Sequence, residues 1–153
     1  MVIPGGCGPP ASSPSGFWKT CVQAVPLQRR IFVMLQIHTY AKCSTCRKAV
    51  AYLQARGLAP KVIPIREQPP SPAELKTMLR HLGGDRRKLF NTSGLDYRQL
   101  KLKDKLPTLN EAEVIALLSK NGNLVKRPFL LTDTGGAVGF RQEEWEQLLG
   151  HKA

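Results

Sequence analysis

Apolar and polar residues alternate along Leu35-Gln36-Ile37-His38-Thr39, the period-two pattern of a half-buried strand. After a short polar stretch the period lengthens, with Ala49, Val50 and Leu53 recurring at helical spacing until Gly57. Lys61-Val62-Ile63-Pro64-Ile65 reads as a second strand whose proline suits a sheet edge. Ser71-Pro72-Ala73-Glu74 is a capping box with proline at the first helical position, launching Leu75, Met78, Leu79 and Leu82 toward a stop at Gly83-Gly84. Short helical pieces follow around Arg86 to Phe90 and Tyr97 to Leu100, separated by Asn91-Thr92-Ser93-Gly94. Asn110-Glu111-Ala112-Glu113 caps another helix, carrying Val114, Ile115, Leu117 and Leu118 and stopped by Asn121-Gly122. Phe129 to Thr132 and Ala137 to Phe140 flank a turn at Asp133-Thr134-Gly135-Gly136 and predict a hairpin. A last helix carries Trp145, Leu148 and Leu149.

The order is β-α-β-α, a small helical insertion, then β-β-α. It predicts an α/β protein with a mixed four-stranded sheet, helices on both faces, and a parallel first strand pair. Residues 1–33 fall outside this regularity, because Pro4, Gly5, Gly6, Gly8, Pro9, Pro10, Pro14 and Gly16 break any period. They read as a disordered extension ahead of a domain at 34–150. One expectation is that natural translation starts at Met34; a basic transit peptide is the alternative, disfavoured by the glycine and proline content.

Composition narrows the class. A chain of 153 residues that is 42% hydrophobic suits one core. No apolar run approaches the roughly 20 residues of a membrane span, and the N-terminus lacks an export signal pattern. The protein is therefore expected to be soluble, with no membrane association. Four cysteines are too few for a disulfide framework, and two of them form a CxxC pair, so the reducing cytoplasm fits best. Lysine and arginine outnumber aspartate and glutamate by 23 to 11, for a net charge of +12. The excess is concentrated before Leu106; residues 1–60 contain no acid at all. Such a field attracts anionic ligands or acidic protein surfaces, although a merely solvated basic surface is the common alternative. With no helix-turn-helix or aromatic-interleaved RNA motif, direct nucleic-acid binding is not expected.

The candidate chemistry lies at Cys43-Ser44-Thr45-Cys46, between the first strand and the first helix. A cysteine attacks only as thiolate, and a helix beginning near Ser44 would hold Cys43 at its positive end, with Lys42, Arg47 and Lys48 adding charge. Cys46, one turn on, is placed to resolve an adduct of Cys43 as an internal disulfide. A zinc half-site, with His38 as the nearest further ligand, and a pair of inert cysteines are the competing readings. His38 itself reads as a strand residue with ordinary hydrogen bonds. Arg127-Pro128 precedes an apolar strand; spacing alone favours a trans strand-entry proline, and Arg127 offers a fork to an oxyanion or carboxylate.

Cys43-Ser44-Thr45-Cys46-Arg47-Lys48-Ala49, Asn91-Thr92-Ser93-Gly94 with Tyr97-Arg98-Gln99-Leu100, Lys126-Arg127-Pro128-Phe129 and Val138-Gly139-Phe140, in that order, resemble the ArsC/Spx family over about Met34 to Leu149. The resemblance implies a thioredoxin-like (glutaredoxin-like) fold with a helical insertion, and a cis Pro128 facing the active cysteine. It implies a catalytic pair, Cys43 and Cys46, and a substrate-facing set of Arg47, Asn91, Arg127 and Pro128.

The family's arsenate reductases cradle the oxyanion with three arginines and draw electrons from glutathione and glutaredoxin. Here Arg127 matches one arginine, Asn91 stands in place of another, and the third falls at or near Phe140, with Arg141 one place off. A serine is usual where this chain has Cys46. Spx-type regulators instead join a CxxC redox switch to binding of the RNA polymerase α subunit. The resulting expectation is a thiol oxidoreductase with no bound cofactor, acting on a small oxyanion, glutathione or a disulfide and using glutathione, glutaredoxin or thioredoxin as donor. The alternative is a redox-sensing regulator that binds the polymerase.

Overall fold

In the computed structural model, which describes residues 34–150, the elements run β1 (Leu35–Thr39), α1 (Ser44–Ala55), β2 (Lys61–Pro64), α2 (Pro72–His81), a 3-10 turn (Arg86–Leu89), α3 (Leu95–Gln99), α4 (Leu102–Lys105), α5 (Glu111–Lys120), β3 (Phe129–Thr132), β4 (Gly136–Val138) and α6 (Gln142–Leu149). The strands form one sheet in the order β2-β1-β3-β4, with β2 parallel to β1 and the other pairs antiparallel. This is the mixed sheet expected from the pattern, and Pro64 does lie on an edge strand. The expectations placed on residues 1–33 lie outside the described residues.

Alternation divides the core into two layers. Phe129, Leu131 and Val138 pack with Leu75, Met78 and Leu79 of α2, Val114, Ile115 and Leu118 of α5, and the insertion residues Phe90, Tyr97 and Leu102. Ile37, Leu130 and Ala137 face the opposite way, onto Ala49 and Leu53 of α1 and Trp145 and Leu149 of α6. Because both faces are covered, β3 is buried along its whole length and reads as a continuous apolar run rather than an alternating one.

Glu74 ties helix to sheet. Its carboxylate accepts the Ser71 N–H at 2.7 Å, closing the predicted capping box, and also accepts the side-chain amide of Gln36 on β1. The second capping box, Asn110 with Glu113, is likewise formed.

Four local expectations are corrected. Strand β4 ends at Val138 rather than Phe140, because Gly139 takes a φ of 75° and turns the chain out of the ladder. Helix α5 does stop at Asn121-Gly122 as expected, but not through a left-handed glycine; Gly122 is buried against the carbonyl of Ile65, where an added Cβ would collide. The insertion has a further helix, α4, entered through Lys101 at φ 51°. Finally, His38 is buried against Phe129, ring centroids 5.4 Å apart, and its Nδ1 has no hydrogen-bond partner among the described residues.

Candidate active site

Chain polarity brings the chemistry to one end of β1. The sheet twin of His38 is Phe129, so continuing the antiparallel register puts Pro128 beside Thr39 and Arg127 beside Tyr40. On the other flank Thr39 pairs with Pro64, and its carbonyl accepts the N–H of Ile65 at 2.9 Å. Three chain segments therefore converge just beyond β1, where the CxxC loop begins.

Tyr40 anchors that loop. Its carbonyl accepts the Cys43 N–H at 2.9 Å, and the Cys43 carbonyl accepts the N–H of Arg47 at 3.1 Å, the first turn of α1. Cys43 is the N-cap, with φ −92° and ψ 115°, as the sequence predicted for a helix starting at Ser44. Its sulfur completes no capping hydrogen bond of full geometry, but the first-turn N–H groups of Cys46 and Thr45 face it. Burial works against ionisation of Cys43; those two N–H groups, the Cys46 thiol and the charge of Arg127 outweigh it and hold the thiol below its ordinary value.

Cys46 is shifted the other way. It is 1% exposed, and burial first, then the hydrogen bond and charge of Cys43, push it up to about 11, against the opposing pull of the Tyr40 N–H and Arg127. Both cysteines are free thiols. Two chemically identical side chains three residues apart are thus made unequal by depth and by the donors that face Cys43: Cys43 ionises more readily than an ordinary thiol, and the buried Cys46 less readily.

The remaining predicted residues divide. The Arg127–Pro128 bond is cis, overturning the trans reading that spacing alone favoured and agreeing with the resemblance. Arg127 lies with its guanidinium carbon 4.9 Å from the centre of the Tyr40 ring, and its buried Nη1 has no partner among the described residues. Arg47 is exposed and lines a shallow cavity of about 220 Å³ with Tyr40, Cys46, Val50 and Gln54. Asn91 is half-buried, its N–H donating to the Leu124 carbonyl at 2.7 Å and its carbonyl accepting the Gly94 N–H at 2.9 Å. These bonds attach it to the segment leading into Arg127, and no hydrogen bond joins it to Cys43 among the described residues.

Phe140 belongs to a different structure altogether. It packs edge-on against Trp145 and Tyr52, at 5.0 and 5.4 Å between centroids, cementing α6 to α1. Its neighbour Arg141 is exposed and paired with Glu144 at 2.8 Å. The Val-Gly-Phe motif nevertheless supports the site indirectly, since Gly139 donates its N–H to the Pro128 carbonyl at 2.8 Å and accepts the Trp145 indole N–H at 3.0 Å.

One residue near the site escaped the sequence reading. Arg66, just past β2, stacks its guanidinium carbon 4.1 Å from the Tyr40 ring centre. The available signal was the parallel pairing of the first two strands, which ends both at the same side of the sheet, where α/β proteins gather functional groups.

A thiol pair at the start of the first helix, a cis-proline before an antiparallel strand and this sheet order together define a thioredoxin-like redox fold. More narrowly, residues 38–148 match the ArsC family model, and the chain belongs to the ArsC family. It is 43% identical over 113 residues to the uncharacterized protein YusI of Bacillus subtilis (strain 168), covering 74% of this chain and 96% of that one. It is 27% identical over 117 residues to the global transcriptional regulator Spx of Listeria innocua, covering 76% and 87%. The crystal structure of a possible arsenate reductase from Streptococcus mutans UA159 superposes with a TM-score of 0.68 at 39% identity, covering 74% of this chain and 98% of that one.

Proposed function

We propose that this ArsC-family protein is a thiol-disulfide oxidoreductase in which Cys43 attacks and Cys46 resolves. The observation that carries the reading is the placement of Cys43 at the N-terminus of α1 with the buried Cys46 one turn deeper. The Cys43 thiolate attacks one sulfur of a disulfide substrate, forming a mixed disulfide and expelling the other sulfur as thiolate. Cys46 then gives up its proton and attacks the Cys43 sulfur, releasing the second substrate thiol and closing a Cys43–Cys46 disulfide. Two electrons leave the protein in this half-cycle. A dithiol or glutathione-type donor, whether thioredoxin, glutaredoxin or glutathione itself, returns them. Such a cycle suits the reducing cytoplasm.

Arg127 and Pro128 form the wall opposite the thiols on this reading, Arg47 lies at the helix start, and Asn91 fills a place where arsenate reductases have arginine. Arsenate is a poor fit as substrate. With Asn91 and Phe140 replacing two arginines, each lost charged hydrogen bond to the oxyanion forfeits roughly 1.5–3 kcal/mol. The test is turnover of a glutathione mixed disulfide and of arsenate by wild type and Cys43→Ser. Turnover surviving in Cys43→Ser would defeat the mechanism.

Cys46 also supports a second reading, a redox-sensing regulator binding the RNA polymerase α subunit, the role that the resemblance to Spx-type proteins implies. A pull-down with reduced and oxidised protein separates the two; retention of polymerase that ignores redox state would remove the switch.

A further inference from the structure

Tyr40 carries two guanidinium groups. Arg127 reaches it from the residue before the cis-proline, and Arg66 from the exit of β2, with guanidinium carbons 4.9 and 4.1 Å from the ring centre. The sheet order explains the convergence, since β1 is flanked by β2 on one side and β3 on the other, and Tyr40 is the first residue beyond β1. The two cationic carbons cannot be farther apart than the sum of those distances, and both rest on the residue whose carbonyl accepts the Cys43 N–H.

Like charges gathered on one ring repel, and a cation's attraction to the π face compensates only in part. No internal carboxylate relieves this: the two ion pairs formed among the described residues are Lys88–Asp85 and Arg141–Glu144. Arg127 moreover keeps a buried Nη1 without a hydrogen-bond partner among the described residues, a cost that a ligand oxygen would remove. The two positions where arsenate reductases have further arginines are committed elsewhere, Asn91 to backbone bonds and Phe140 to aromatic packing.

We propose that Arg66 and Arg127, held on Tyr40, form a two-guanidinium site for an anionic oxygen group, carboxylate or oxyanion, of the molecule presented to Cys43. Arg66 supplies the second positive charge from a chain segment other than those that carry the family's arginines. Tyr40 acts as a positioning residue, fixing both cations while its backbone holds the nucleophile. The site deepens the redox reading by selecting anionic substrates over neutral ones.

The test does not require turnover. Iodoacetate and iodoacetamide both alkylate a thiolate, but only the first is an anion, so the ratio of their rates at Cys43 reports local positive charge and cancels the thiolate fraction. The ratio is followed by peptide mapping of the Cys43 peptide from the full chain, at fixed ionic strength. Arg66→Gln and Tyr40→Leu should each lower it about 3- to 5-fold, the size expected for one nearby, partly screened charge. An unchanged ratio in Arg66→Gln, or a parallel slowing by both reagents, overturns the site; a fall in Arg66→Gln but not in Tyr40→Leu overturns the role of Tyr40. In wild type, protection from iodoacetate by S-methylglutathione points to a carboxylate and protection by inorganic phosphate to an oxyanion, while protection by neither overturns ligand binding. Should disulfide turnover be absent while the ratio behaves as stated, the redox reading fails and the anion site stands.

Discussion

The thiol of Cys46 turns toward the sulfur of Cys43 from one turn deeper in α1, so that the buried sulfur holds its proton more tightly than an ordinary thiol and the half-buried one less tightly. Every step of the proposed cycle depends on this inequality. The first-turn N–H groups stabilise the Cys43 thiolate, and only attack on Cys43 by a partner draws Cys46 into ionising.

The pH dependence of alkylation follows. Cys43 should reach half its limiting rate with iodoacetamide below the ordinary thiol value of 9.0, whereas Cys46 should stay protected until about pH 11. Cys46→Ala removes a hydrogen bond to the thiolate and should move the Cys43 midpoint upward. Rate profiles from peptide mass spectrometry check both; equal midpoints for the two cysteines in wild type would contradict the assignment.

Cys46→Ser should trap the first intermediate. With no resolving thiol, treatment with oxidised glutathione should leave a stable adduct on Cys43, gaining one glutathionyl unit by intact mass after correction for Cys7 and Cys21. Cys43→Ser should leave Cys46 unmodified, because its burial denies access to the reagent.

Gly122→Ala tests the close approach of the α5 exit to Ile65. The new methyl group must push against backbone, which cannot rotate away as a side chain could. A loss of about 2–3 kcal/mol in denaturant unfolding is expected, with little change if the role were only that of a helix stop.

Stability should decline in acid through two groups on the β1–α2 contact. His38 has its pKa lowered chiefly by burial, with Lys61 adding and Glu74 opposing. Below its ordinary value of 6.5 the unfolded chain takes up a proton that the folded protein resists, so stability falls as pH drops through that range. Burial raises the pKa of Glu74, but the Ser71 N–H and Gln36 amide outweigh it and hold the carboxylate below 4.5; its contribution is present above 4.5 and lost as pH falls through the folded value. Thermal unfolding from pH 8 to 3 checks this. Glu74→Ala should cost about 1 kcal/mol at neutral pH through the lost cap, and should flatten the lower part of the profile.

The local structure of this protein was legible in its sequence. Ser71 with Glu74 and Asn110 with Glu113 announced two helix starts, Leu35 to Thr39 alternated as a strand should, and Cys43 caps a helix that begins at Ser44, the start that the sequence predicts. These are short-range effects, set by backbone donors and side-chain period within a few residues. What the sequence did not contain in readable form was every relation made across the sheet. The meeting of Arg66 and Arg127 on Tyr40, the role of Gly122 against Ile65, the burial of His38 against Phe129, and the diversion of Phe140 into packing with Tyr52 all join residues far apart in the chain. Strand order and register decide such contacts. The β-α-β order gives β2 as one neighbour of β1, but no local pattern encodes that β3 takes the other side, and it is that flanking which brings Arg66 and Arg127 together on Tyr40.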